Sequence, residues 1–252
     1  MNTIYNNTLD DTVSTNPALS RADVDYMVRN RFNELPMYGT LYIANSLVRH
    51  ANFPGIVSYA YGKGLKLGIA YSSDGEIDNM LNYNKVQAVD KKLYFAVTEI
   101  EPYNTGDYAG MTARMQYAYP KLKAMGLRHL VYMGWPTDSY WATIVANCDE
   151  INLHCYLPTT RMTASGIWGY VKGRLALIAA AAKAQNKFMP VNIIYSCEPA
   201  FAYDWFKKKN WYDAHALFLS QYNQLASTVM KQQLDVRGMS VFVSKYMKQV
   251  KP

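Results

Sequence analysis

Cysteine is scarce in this chain, three residues in 252, and so sparse and odd a set supplies no disulfide framework. Cys155 and Cys197 fall inside predicted strands, where a small buried thiol is the expected form. No apolar run is long enough to cross a membrane as a helix. The opening Met1-Asn-Thr-Ile-Tyr-Asn6 has neither the basic segment nor the apolar segment of an export signal. The expectation is therefore a cytoplasmic protein, or a secreted or periplasmic one whose signal has been removed. The formal charge of +7 invites a nucleic-acid reading. Lys and Arg are spread along the chain, however, and Lys207-Lys-Lys209 is the only tight run. No zinc-finger spacing or RNA-binding signature accompanies it, so nucleic acid is not an expected partner. His50, His129, His154 and His215 show no paired ligand spacing, and neither metal nor cofactor is expected. There is no Gly-x-Ser-x-Gly elbow for a serine nucleophile, no Gly-rich dinucleotide fingerprint after an early strand, and no Gly-rich phosphate loop near the end. Lys245, the one Lys inside a predicted strand other than at its first residue, shares parity with Val241 and Val243, which argues against a Schiff-base enzyme.

What is abundant is apolar and aromatic. Hydrophobic residues are 50% of the chain, aromatics 14%, and Tyr alone numbers 22. Such a chain buries a large core, and Tyr offers a flat apolar face with a hydroxyl. The order of apolar runs and helical periods alternates. Predicted strands fall at 3–8, 40–45, 66–72, 92–99, 128–135, 150–156, 191–197 and 238–246. Helical stretches lie between them, the longest at 163–185 and 211–233. A helix capped by Ser20 and running to Phe32 precedes Pro36 and Gly39, which close that region. Strand and helix in alternation give parallel strands with covering helices. Eight repeats in this length favour a closed (β/α)8 TIM barrel in the α/β class, one domain over residues 1–252. No room remains after Tyr246 for an eighth helix, so the barrel is expected to lack it, with a neighbouring or N-terminal segment over the gap.

The most informative stretch is Leu93-Tyr-Phe-Ala-Val-Thr-Glu-Ile-Glu-Pro-Tyr-Asn104, an apolar strand that ends in two carboxylates. Val191-Asn-Ile-Ile-Tyr-Ser-Cys-Glu-Pro199 has the same form and ends in Glu198. Side chains of a strand alternate faces. Asn152, His154 and Tyr156 then share one face of the sixth strand, and Asn192, Ile194, Ser196 and Glu198 one face of the seventh. The opposite faces are apolar and suit packing against helices. The polar faces point into the barrel, at positions that a purely structural barrel fills with Val, Ile and Leu. Polar side chains there mark a site at the C-terminal mouth.

Cleaving a glycosidic bond takes two carboxyl groups, one to protonate the leaving oxygen and one to attack the anomeric carbon or activate water. Glu residues from strands four and seven, facing across a barrel mouth, meet that need. With these residues the chain resembles the clan A, or 4/7, superfamily of glycoside hydrolases. The resemblance implies Glu198 as nucleophile and a strand-four Glu as acid/base. The family pattern at strand four is Asn-Glu, often Asn-Glu-Pro. Here Thr98-Glu99 and Ile100-Glu101-Pro102 stand instead, so Glu99 and Glu101 both remain candidates. Glu99 is favoured because it sits at the same depth in its strand as Glu198 does. His154-Cys-Tyr156 resembles a His-x-Tyr of some clan members, which implies sugar contact by His154 and a place near the nucleophile for Tyr156. The usual Trp at the end of strand eight is replaced by Ser244-Lys-Tyr246, and the Arg expected early in the barrel has no match. Tyr103, Trp135 and Trp205 are candidate sugar platforms, and Asn45, Asn104 and Tyr246 candidate rim contacts. The implied activity is retaining cleavage of a β-linked oligo- or polysaccharide. The alternative is a carbohydrate-binding barrel that has lost the chemistry. Nothing in the sequence fixes the oligomeric state.

Overall fold

The computed structural model describes residues 2–4, 17–38, 52–242 and 244–250. Its centre is a ring of parallel strands: β1 (Asn2–Ile4), β2 (Glu34–Met37), β3 (Lys66–Tyr71), β4 (Phe95–Thr98), β5 (Arg128–Met133), β6 (Glu150–Cys155), β7 (Met189–Ser196) and β9 (Met239–Phe242). Each pairs in parallel with the next, β7 pairs with β9, and β9 pairs with β1 through Asn2–Met239, Thr3–Ser240 and Ile4–Val241, so the sheet closes on itself. The two-residue β8 (Leu234–Asp235) adds only to the start of β7. The fold is the expected (β/α)8 barrel.

Strand parity divides the core in two. Ala70, Phe95, Val97, Leu130, Tyr132 and Ile194 form a cluster inside the ring. The opposite faces, among them Ile69, Ala96, Val131, Leu153 and Ile193, join the larger core beneath the helices. Below the inner cluster lies a polar layer. Arg128 pairs with Glu34, and with Glu150 at 2.9 Å. Glu150 accepts from Asn192, whose amide also donates to Asn152 at 3.1 Å. Gly68 is required where β3 passes β4, since a Cβ there would lie 2.5 Å from the ring and the carbonyl oxygen of Phe95.

Several boundaries differ from the sequence expectation. The second barrel strand is Glu34–Met37, ahead of the expected one at 40–45, which lies outside the described residues. Pro36 therefore sits inside a strand. Asn33 O accepts from Lys66 N, so by alternation 33, 35 and 37 face β3 and Pro36 faces β1, where the register gives only Thr3–Glu34. No bond to β3 is lost at the proline. The first helix, α1, runs Pro17–Arg29, with Ser20 fully buried inside it rather than capping it. The helix expected over 211–233 is two, Trp211–Leu225 and Thr228–Gln233, broken where Ser227 caps the second. The final strand stops at Phe242, and Ser244–Met247 is a short helical turn. The parity argument for Lys245 lapses accordingly. His215, mid-helix, is buried against Tyr195 at 3.4 Å.

No full helix follows β9 among the described residues. The side left bare is closed by other parts. Tyr26 of α1 donates to Met247 O at 2.9 Å, and Lys248 pairs with Asp23. The connection after β7 adds Phe206 and Trp211, both fully buried. It is tied to α1 through Tyr212 Oη to Asn30 O at 2.8 Å, and to the C-terminal turn through Tyr203 Oη to Gln249 at 3.0 Å.

Candidate active site

Because all barrel strands are parallel, their C-terminal ends share one rim, and the inward parity of each strand continues into it. β4 ends at Thr98, so Glu99 is the first residue past the strand and keeps the inward parity of Phe95 and Val97. It is half-buried and accepts a hydrogen bond from Tyr38, just past β2. Burial raises its pKa to about 7. The Tyr38 bond works against that rise, and the charges of Glu101 and Glu76 add to it. Glu101 is not on the strand. It precedes the short helix Pro102–Thr105, and Tyr103 Oη and Asn104 Nδ2 each donate to it at 2.6 Å. Glu198 stands two residues past β7 with the inward parity of Ile194 and Ser196. Ser196 Oγ donates to its carboxylate at 2.9 Å.

An aromatic wall joins these carboxylates. The His154 and Tyr156 rings stack at 4.7 Å with planes 5° apart. Tyr132 lies 3.9 Å from His154, and its hydroxyl shares a hydrogen bond with that of Tyr156. Phe201 and Phe242 flank Tyr156 at 5.1 and 5.9 Å. Tyr103 meets His154 edge-on at 6.4 Å. Gly134 lets this happen, since a Cβ there would fall 2.7 Å from the Tyr103 hydroxyl. Burial drives the His154 pKa down to about 3, assisted by the Arg174 charge, so the ring is neutral, and its Nε2 has no partner among the described residues. Burial also raises Tyr132 far above the usual phenol range, with the charge of Tyr156 adding to it.

Behind the wall Arg174 is buried on the helix Ala164–Ala184. Its guanidinium donates to Gly134 O and His154 O, both at 2.8 Å, and to Tyr170 O at 3.0 Å. It thereby ties the ends of β5 and β6 together. It also lies 3.8 Å from the centroid of Trp135, which is 50% exposed and edge-on to Tyr170 at 5.0 Å.

The structure thus brings Glu99, Glu101, Tyr103, His154 and Tyr156 into one rim, with Asn104 on Glu101 and Trp135 just past β5. Glu198 lies past β7 on the same rim. Tyr246 is not at a strand end. It sits in the turn after β9, edge-on to Tyr203 at 6.0 Å. Asn45 lies outside the described residues. Trp205 packs edge-on to Phe206 at 5.2 Å, in the connection after β7. Sequence reasoning missed Tyr38, Tyr132, Phe201, Phe242 and Arg174. Tyr132 was reachable by parity with Leu130. Arg174 falls on the buried face with Val171, Leu175 and Ile178, at the helical spacing of core positions.

The class is now defined by structure: a closed parallel (β/α)8 barrel with a rim of carboxylates and aromatic rings. No family model and no curated protein sequence matches the chain. Solved structures do match its fold. A family 18 chitinase from Crocus vernus superposes with a TM-score of 0.58 at 12% identity, covering 98% of this chain and 94% of that one. A β-1,3-glucanosyltransferase from Rhizomucor miehei, in complex with laminaritriose, gives 0.54 at 14% identity over 90% and 82%. A β-glucosidase from Thermotoga maritima gives 0.54 at 10% identity over 90% and 77%. The chain shares the (β/α)8 barrel fold of these structures.

Proposed function

We propose that this protein is a glycoside hydrolase that cleaves a β-linked oligo- or polysaccharide with retention, Glu99 serving as acid/base and Glu198 as nucleophile. The observation that carries this reading is Glu99. It is an inward-facing carboxyl at the end of β4, held by Tyr38, and burial that raises its pKa to about 7 leaves it about half protonated in neutral water. A general acid with that proton affinity can give its proton to a glycosidic oxygen and take one back from water. In the first step Glu99 protonates the leaving oxygen while the Glu198 carboxylate bonds the anomeric carbon. In the second, the Glu99 carboxylate deprotonates a water that displaces Glu198. Retention calls for the two carboxyls to stand about 5–5.5 Å apart with the sugar between them. Tyr156 and His154 form the floor for the reacting ring, and Trp135 and Tyr103 offer faces for neighbouring sugars.

A panel of aryl β-glycosides and polysaccharides tests this. Wild type should turn over at least one of them, and Glu198→Gln should lower kcat by about 10³-fold or more. Glu99→Gln should cost less on aryl glycosides whose leaving group needs no proton. The second reading is a carbohydrate-binding barrel without turnover. Thr98 favours it: it is fully buried, engaged by Tyr71 and Ile100, and on the outward face of β4, so it cannot hold a sugar hydroxyl as the family's Asn does. Equal sugar binding by wild type and Glu198→Gln, with no product from either, would establish that reading instead.

A further inference from the structure

Trp135 differs from the rings beside it. Tyr132 and His154 are buried, and Tyr156 is packed among His154, Phe201 and Phe242. Trp135, two residues past the end of β5, is 50% exposed. It is nevertheless held from several directions. Arg174 lies over one face, 3.8 Å from the ring centroid. Tyr170 meets the ring edge-on at 5.0 Å, and its hydroxyl accepts from the indole Nε1 at 3.4 Å. The backbone around Trp135 is fixed as well. Gly134 O accepts from Arg174 at 2.8 Å, and Thr137 N donates to Tyr108 Oη at 3.2 Å, at the start of the helix Tyr108–Ala124. Tyr140, from the same loop, donates to Tyr108 O at 2.8 Å.

Arg174 is the costly part of this arrangement. It is 4% exposed, and no carboxylate pairs with it among the described residues. Burial lowers its pKa to about 10, so it remains a cation at neutral pH. Taking a guanidinium out of water costs several kcal/mol, which bonds to neutral carbonyls only partly offset. What it supports is a flat, half-open indole with little freedom left to lose. The C–H face of a pyranose stacks on such a ring, and prior fixing of the ring lowers the entropy cost of binding. The platform also continues the rim outward from the carboxylates. Tyr103, which bonds Glu101, abuts Gly134, and Trp135 is the next residue.

We infer that Trp135, preset by Arg174, is a second carbohydrate subsite that stacks on a sugar beyond the reacting ring, so that the protein takes chains of several β-linked sugars in preference to disaccharides. Arg174 acts through Trp135 and is a positioning residue. The inference rests on the rim being a carbohydrate site and narrows the substrate of the glycosidase reading to chains.

Calorimetry in the Glu198→Gln background, where chains bind without being cut, tests this with β-linked oligomers of two and six units of glucose, mannose, xylose and N-acetylglucosamine. For the sugar that binds, six units should bind about tenfold tighter than two, the gain of one aromatic stack. Trp135→Ala should bring that ratio to about one. Arg174→Lys keeps the charge but loses the planar fork, and should lower the ratio as well. Binding of the six-unit chain should also move tryptophan emission to shorter wavelength, and Trp135→Ala should lose that shift. Should Arg174→Lys misfold, Trp135→Ala, at an exposed position, decides. If Trp135→Ala leaves the ratio and the emission shift intact, or weakens two and six units equally, the indole only shields Arg174; the inference fails and the glycosidase reading stands. Chains bound through Trp135 but never cut by wild type would uphold the subsite and overturn the glycosidase reading. No binding of any oligomer would overturn both.

Discussion

At the scale of single residues, the site turns on how the protein treats one carboxyl. Glu99 has an ordinary value of 4.5 in the unfolded chain and about 7 when folded, chiefly because burial disfavours its charge. The sign follows from proton counting. Between those two values the folded state holds a proton that the unfolded state has released, so stability falls as pH rises from 4.5 to about 7 and is flat in this group above that. Glu99→Gln removes the dependence. The variant should gain on wild type steadily across that window, reaching on the order of 3 kcal/mol at pH 8. Urea midpoints measured at several pH values for both proteins check this, and parallel curves would contradict it. The same ionisation should set the basic limb of any kcat/KM profile near pH 7. The place of Glu99 and Glu198 at the ends of β4 and β7 was legible in the sequence because an apolar strand that stops at a Glu is a local pattern. Tyr38 was not. Its role depends on a strand two positions away in the ring, and local sequence carries no trace of that contact.

At the scale of elements, the parity of β6 and β7 was legible, since a strand alternates faces whatever surrounds it. Asn152, His154, Asn192 and Ser196 all point inward as the pattern required. The second strand was misplaced because Pro36 reads as a breaker, and only the side of β2 that it faces makes it tolerable. The polar layer beneath the inner apolar cluster was also invisible. Arg128, Glu34 and Glu150 start three different strands, and their meeting depends on closure of the ring. One guanidinium there serves two buried carboxylates, both of whose pKa values burial pushes up. Arg128→Met leaves both uncompensated and should cost about 3–5 kcal/mol. Replacing all three by apolar residues of similar size should return most of that loss, since a buried ion network is weak evidence of net stability. Denaturant unfolding of the single and triple variants distinguishes the two effects.

At the scale of the whole molecule, the question is how a barrel stays closed where its last covering helix is missing among the described residues. A neighbouring or N-terminal segment was expected over that side, and the structure supplies two covers. One is α1, fastened to the C-terminal turn by Tyr26 and by the Asp23–Lys248 pair. The other, the connection after β7, was unforeseen, because its Lys207-Lys-Lys209 run suggests a solvated face. Its apolar members tell otherwise: Phe206 and Trp211 are fully buried, and Trp211 lies 5.5 Å from Phe32 at the entry to β2. A connection that only spans a gap tolerates truncation of its side chains, whereas one that closes a core does not. Trp211→Ala and Phe206→Ala should each cost about 3–5 kcal/mol, like large core deletions. Leu225→Ala, at a site 57% exposed on the same helix as Trp211, should change stability by no more than about 0.5 kcal/mol. If all three variants unfold at the same urea concentration as wild type, this connection is not what seals the barrel. The rim geometry that it supports through Phe201 and Glu198 would then need another anchor.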